Sequence, residues 1–338
     1  MISTRITKDY GIEAPIISAG MAFVAMSDLV VAVSNAGGLG VLGGSMPAPV
    51  LRGELAKIKK ATHKPYGVNF IPRFIEKEHI DICIEERVPL VVFYWDEAPP
   101  AFISQLKQNN IKVWVQVGSL SEAAAAVSAG ADAVIVQGSE AGGHNRSTAA
   151  TFTLLPSVVD LIAPIPVIAS GGIADGRGLV AALALGAEAV WVGTRFVASR
   201  EAYAHPDYKE RIVAASVHDT ARHNIFGYDF PDATVRGIRN DIVREWEGKD
   251  NPPPYAGTDP SSQPVIGETA LFGQRMGIAK HMGFPPTPDA SGDLEQMSLL
   301  AGESVGLVKA LEPAGDIVRA MGMEAEKIIR NRLQKMTQ

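Results

Sequence analysis

Two short glycine-bearing stretches and one histidine are where this chain most plainly offers chemistry. Ser170-Gly171-Gly172 and Gly193-Thr194-Arg195 each follow an apolar run. Glycine lets an anion approach the main chain closely, backbone N–H groups supply donors, and Ser170 and Thr194 add hydroxyls, which is the pattern of a phosphate cradle. Either stretch alone fits a tight turn equally well; the two together, at the ends of successive apolar runs, favour phosphate. His144 stands in EAGGHNR, directly behind Gly142 and Gly143. An imidazole so placed can take or return a proton near neutral pH. A surface histidine, or one that only ties down its loop, is the other reading of the same residues.

Further candidates are Met21, whose soft thioether suits a flat ligand or ordinary packing, and Asn69 and Gln116, whose amides can serve a ligand's ring edge and hydroxyls or cap loops. Trp95 and Asp96 belong to the same class of position, as does the run from Gly138 to His144. GLGVLGG at 38–44 resembles a dinucleotide fingerprint only superficially, since no G-x-G-x-x-G enters a helix, and a structural turn is the better reading. His63 and His79 read as surface residues, and His205, His218, His223 and His281 carry no signal. No histidine pair has metal-site spacing with a carboxylate, so no metal is expected. Cys83, between Ile82 and Ile84, reads as packing.

These residues need a scaffold that brings the ends of many apolar runs together. The strand candidates are 15–19, 39–44, 66–70, 89–95, 112–117, 133–138, 166–172 and 189–196. Between them lie helix candidates at 26–36, 50–61, 75–86, 98–109, 120–129, 153–162 and 176–185. Ser119 and Glu122 read as a capping box for the fifth helix, with Gly130 as its stop. The strand candidates are mostly apolar throughout, as parallel strands covered on both faces must be. Eight such units in succession predict an α/β TIM barrel, (β/α)8, over residues 1–218, with the acting residues at the C-terminal strand ends; a doubly wound open sheet is the other fold the pattern allows. From Asp219 the rhythm breaks, and NPPPY, DPSSQP and FPPTP predict an irregular lid or small lobe over 219–293. Residues 294–338 are expected to be C-terminal helices packing on the barrel.

The composition bounds the function. The chain has 338 residues, 46% apolar and 20% charged, with a formal net charge of -6. That balance offers no basic surface for nucleic acid. No run approaches the roughly 20 apolar residues of a membrane span, and the N-terminus lacks a signal-like apolar region. With the one cysteine, Cys83, no internal disulfide can form. A cytoplasmic enzyme acting on a small molecule is expected, with homo-oligomerisation left open.

The segments APIISAGM, AVSNAGGLG, PYGVNF, GSEAGGH, PVIASGGIADGRG and GAEAVWVGTRF together resemble the nitronate monooxygenase family. The resemblance spans most of residues 10–200, with an echo in AGESVGL at 301–307. It implies non-covalent FMN, with Gly171, Gly172, Gly193 and Thr194 at the phosphate, Ser170 beside them, and Met21, Asn69, Gln116 and Gly138 near the ring or ribityl chain. His144 matches the family histidine beside the flavin, as a base or an orienting group. The implied reaction is oxidation of an alkyl nitronate, an anionic substrate, by dioxygen to a carbonyl compound and nitrite, without NADH. The same motifs, with GMAFVA and HPDYKE, are similar to FMN-dependent enoyl-acyl-carrier reductases, so an NAD(P)H-dependent reductase acting on an enoyl thioester or quinone is the alternative. A flavin-binding barrel without catalysis is a third. Asn145-Arg146-Ser147, Gln116 and Glu303 depart from the family pattern, which bears on the substrate pocket more than on FMN. Arg146 is a candidate for attracting an anion, or a solvent-facing residue.

Overall fold

The computed structural model describes residues 2–94, 97–226, 234–249 and 262–336. Eight parallel strands form the centre: β1 Ile16–Ser18, β2 Gly40–Gly43, β3 Tyr66–Phe70, β4 Leu90–Phe93, β5 Lys112–Val117, β6 Ala133–Gln137, β7 Val167–Ser170 and β8 Ala189–Val192. Each pairs with its neighbour, and β8 pairs with β1 through Ile16, Ile17 and Ser18. The remaining seam, between β1 and β2, is closed by a parallel bridge of Ile17 with Leu39, in which Ser18 N–H donates to Leu39 O at 3.1 Å and Leu39 N–H to Ile16 O at 3.0 Å. The sheet is a TIM-type barrel.

Alternation along the strands explains why they are apolar throughout. Ile17, Val41, Val92, Trp114, Ile135, Ile168 and Trp191 pack with one another in the barrel interior. Their neighbours Ile16, Leu42, Val91, Val113, Val134 and Val190 belong to the outer core shared with the helices. Both faces are dry, so neither tolerates polar alternation. The N-terminal helix Arg5–Tyr10 joins the interior cluster through Ile6 and Tyr10, and Trp114 Nε1–H donates to the Tyr10 hydroxyl at 2.6 Å.

The seven intervening helices lie within about two residues of the expected positions. Ser119 caps its helix by accepting Glu122 N–H at 3.2 Å, but the Glu122 carboxylate accepts from Gly118 N–H at 2.6 Å, one residue away from the reciprocal bond of a capping box. Gly130, at φ +100°, follows the end of that helix. The last expected strand stops early: Thr194–Val197 is a helical turn, not a continuation of β8. The helix completing the ring is Ala314–Ile328, which packs between helices Ser27–Asn35 and Gly176–Ala184. Pro313 is its N-cap, so this proline starts the helix.

Residues 193–313 are therefore an insertion between the last barrel strand and the last barrel helix. The stretch 219–293 was expected to be irregular, but its described residues carry paired strands. Strands Thr220–His223 and Val235–Ile238 pair with each other and, through Val235, with the two-residue strand Gly143–His144. Val265–Leu271 and Gln274–Ala279 form a hairpin, whose Phe272-Gly273 turn has φ of 53° and 80°, as two-residue hairpins of this twist require. Most of NPPPY and DPSSQP lies outside the described residues, as do Trp95 and Asp96. No helix of the described residues is long and apolar enough to cross a membrane.

Candidate active site

The C-terminal ends of the strands and the insertion enclose a cavity of about 680 Å³. It brings together Met21, Asn69, Gln116, His144, Ser170, Gly171, Gly172, Gly193 and Thr194, all of them singled out from the sequence. Gly138 does not line it. A side chain at Gly138 would strike Thr151, with Oγ1 at 2.0 Å and the amide nitrogen at 2.3 Å, so this glycine is required by packing behind the cavity wall.

On the side of β7 and β8, Gly171 and Gly172 have φ of 103° and 73°, a conformation that L side chains rarely adopt. A Cβ at Gly193 would meet nothing nearer than Met21 Sδ at 3.7 Å, so the backbone there borders open space. Thr194 Oγ1 accepts Gly302 N–H at 3.0 Å, which leaves its own proton available to a ligand. Across the cavity, Asn69 donates from Nδ2 to Gly20 O at 2.8 Å. Its buried Oδ1 has no partner among the described residues. A buried acceptor without a donor on a cavity wall, opposite a glycine cradle open to anions, fits a ligand that combines a ring N–H with a phosphate, as FMN does. Arg195 is not part of the cradle: its buried side chain donates to Ala198 O and Ala310 O, each at 3.2 Å, and pairs with Glu312.

His144 is held by its backbone. Its carbonyl oxygen accepts from the Tyr94 hydroxyl and from Gln137 Nε2 at 3.2 Å, and its strand is paired to Val235. Asn145 Nδ2 donates to Gly138 O at 2.9 Å and Ala141 O at 3.1 Å, drawing the glycine loop closed. A Cβ at Gly283 would lie 3.9 Å from His144 Nε2, so the insertion covers the ring. Loss of water and the nearby charge of Arg73 push the imidazole pKa down to about 4. At neutral pH the ring is uncharged.

Tyr94 and Gln137 were missed from the sequence. Both stand at strand ends, β4 and β6, which was the available signal. The mouth is aromatic: Phe23, at φ 65°, lies 5.4 Å from Phe284 and 6.1 Å from Phe272, centroid to centroid. No lysine, arginine or carboxylate lines the cavity among the described residues. Arg146 is 44% exposed and lies 3.6 Å from Glu122, so it faces solvent. Glu303 pairs with Arg236 at 3.1 Å. His79 is buried, not a surface residue: Glu76 N–H donates to Nδ1 at 3.1 Å, and Nε2 lies 2.9 Å from Met46 O, which satisfies both ring nitrogens. His223 and His281 are also buried. Among the described residues no three His, Cys, Asp or Glu side chains are grouped to hold a metal.

A closed parallel barrel with a glycine cradle after β7 and β8 and a histidine loop after β6 defines the class of FMN-dependent barrel oxidoreductases. The family model described as nitronate monooxygenase matches residues 3–79 and 73–324, and the chain belongs to that family. It is 37% identical over 297 residues to the "Probable nitronate monooxygenase" of Staphylococcus saprophyticus, covering 74% of this chain and 82% of that one. The structure of FabK from Thermotoga maritima is similar at 37% identity and a TM-score of 0.82, covering 99% and 100% of the two chains. That of nitroalkane oxidase from Streptomyces ansochromogenes matches at 26% identity and a TM-score of 0.76, over 96% and 99%. The protein is an FMN-dependent oxidoreductase of the superfamily that these relatives share.

Proposed function

We propose that the protein oxidises alkyl nitronates with dioxygen, yielding a carbonyl compound and nitrite. The observation that carries this reading is the place of His144 on the wall of a cavity lined by no charged side chain among the described residues, its imidazole kept neutral by burial and by Arg73. A nitronate has already lost its proton and needs no base, and an uncharged imidazole can donate a hydrogen bond to its oxygens. The positive field of Arg73 that depresses it also favours an anion at the same place. Gly171, Gly172, Gly193, Thr194 and Ser170 would hold the FMN phosphate, and Met21, Asn69 and Gln116 the ring and ribityl chain. Bound FMN supplies the electron chemistry. The chain's own residues orient the substrate, exclude water behind Phe23, Phe272 and Phe284, and hold the proton at His144.

A second reading, reduction of an enoyl thioester by NAD(P)H, draws on a different observation. The mouth is wide, aromatic and uncharged, which suits a long apolar chain as well as a small alkyl group. Anaerobic mixing of the FMN-loaded protein with a preformed alkyl nitronate separates the two. The flavin absorbance is expected to bleach with nitronate, and slowly or not at all with NADPH; the opposite result gives the reductase.

A further inference from the structure

Thr151 stands behind the glycine cradle and touches it from the side away from the cavity. It is buried and opens the helix Thr151–Ile162, whose N-cap Ala150 supplies no side-chain acceptor. Glu140 takes that role from another loop: its carboxylate accepts Thr151 N–H at 3.0 Å to Oε1 and 2.9 Å to Oε2. The place of the threonine hydroxyl is thereby fixed. Thr151 Oγ1 lies 3.0 Å from Glu140 Oε2, 3.1 Å from Ser170 O and 3.2 Å from Gly171 O.

All three neighbours are acceptors, and a hydroxyl has one proton to give. Glu140 is served by Thr151 N–H and Ser170 O by Gly138 N–H at 2.9 Å, whereas Gly171 O accepts from no backbone N–H among the described residues. The proton therefore belongs on Gly171 O, the acceptor that would otherwise go without one. The peptide between Gly171 and Gly172 is trans and planar, so its C=O and N–H point to opposite sides. With Gly171 O turned back to Thr151, the N–H of Gly172 is turned away from it, toward the cavity that both glycines line. Neither glycine donates its N–H to a backbone carbonyl among the described residues. The contact from behind is close, since a Cβ at Gly171 would lie 2.9 Å from Thr151 Oγ1 and 3.1 Å from Ala141 Cβ.

We infer that Thr151 is a positioning residue for the flavin phosphate, its hydroxyl holding the peptide between Gly171 and Gly172 so that the amide is already aimed when a phosphate oxygen arrives. The inference rests on the proposed seat of the FMN phosphate in this cradle, and adds to it a residue behind the cavity wall. Two successive glycines restrain their own peptide weakly. Without the hydroxyl it can rotate and present its carbonyl to the anion, and the freedom lost on binding is greater.

The test sets FMN against riboflavin, which has the same ring and ribityl chain and lacks the phosphate. The FMN-loaded protein is dialysed against mixtures of the two flavins, and the bound fraction of each is read by chromatography after denaturation. The unsubstituted protein is expected to prefer FMN by about a hundredfold or more. Thr151→Val should lower that preference about tenfold, and Thr151→Ser should restore it to within about threefold. A general loosening of the protein weakens both flavins and leaves the ratio unmoved, so the ratio reports on the phosphate alone. Thr151→Ala removes the hydroxyl without placing a methyl group among the acceptors, and gives the same reading if Thr151→Val does not fold. A strong preference for FMN that persists in the variants lacking the hydroxyl, or that Thr151→Ser fails to recover, would overturn the role of Thr151 and leave the phosphate in the cradle. Equal binding of FMN and riboflavin by the unsubstituted protein would overturn the phosphate seat itself, and this inference with it.

Discussion

The Tyr94 hydroxyl, at the end of β4, donates to the carbonyl oxygen of His144, at the end of the loop after β6. The histidine is thus held through its main chain, on the wall of the cavity. Burial holds the Tyr94 phenol protonated by raising its pKa. In Tyr94→Phe the Gln137 amide remains, so a loss of about 1 kcal/mol in stability is expected, together with a severalfold fall in kcat/KM and an unchanged flavin spectrum. Denaturant titration and steady-state kinetics check this; unaltered kinetics would show that the contact does not position His144.

His144→Ala distinguishes a base from an orienting group. With a neutral nitroalkane the rate is expected to fall by about 10²- to 10⁴-fold. With the preformed nitronate, whose proton is already gone, the loss is expected to be much smaller. Equal losses toward both forms would retain oxidation but assign His144 to orientation.

Acid lability should be steep. His144 and His223 have pKa values pushed down to about 4 and His281 to about 3, with burial the largest cause in each. An unfolded histidine takes up its proton near pH 6.5, so between there and pH 4 the unfolded chain binds more protons than the folded one. Stability is therefore complete above about pH 6.5 and declines as pH falls, by up to about 3 kcal/mol each for His144 and His223 and about 5 kcal/mol for His281. Chemical denaturation at several pH values is the measurement, and a flat profile from pH 7 to 4.5 would contradict the burial of these rings.

Gly172 and Gly193 are expected to fail differently. At Gly172, φ +73° makes even alanine a strained replacement. At Gly193, alanine meets no close neighbour and should leave the melting temperature nearly unchanged, whereas aspartate sets a negative charge beside the phosphate. Equilibrium dialysis should show FMN retained by Gly193→Ala and lost from Gly193→Asp and Gly172→Asp. Equal affinity in all three would move the phosphate elsewhere.

Cys83 is fully buried, and burial raises its thiol pKa far above the usual range. A thiol reagent should label it only at the rate of unfolding. Rapid labelling of the native protein would be evidence against its packing between helix and barrel.

The barrel was legible because its strands are dry on both faces: runs such as Leu90–Phe93 and Ala133–Gln137 have no polar alternation to confuse them. What escaped depends on partners distant in the chain. His79 sits on a polar helix and reads as surface, yet its ring is satisfied by Met46 O and Glu76 N–H. In Val265–Leu271 the strand formers Val265, Ile266 and Thr269 are interrupted by Gly267 and Glu268 and the surroundings are rich in proline, so the hairpin was hidden. The cavity-lining residues were visible as strand-end glycines and amides. Gly138 carries the same local signal, but contact with Thr151 places it outside the cavity. Local pattern indicates which residues stand at strand ends and leaves open which of them turn inward.

The pairing of His144 with Val235 has a consequence for the order in which the protein is made. All eight strands have been synthesised once Val192 leaves the ribosome, but the chain that fastens His144 follows much later, and Gly302, the donor to Thr194, later still. The ring of helices is not complete until Ala314–Ile328 slots beside Ser27–Asn35, near the start of translation. The nascent chain thus carries its sheet well before it can carry a working site, and a message truncated anywhere upstream of residue 302 yields apolar strands without the pocket they were laid down to support.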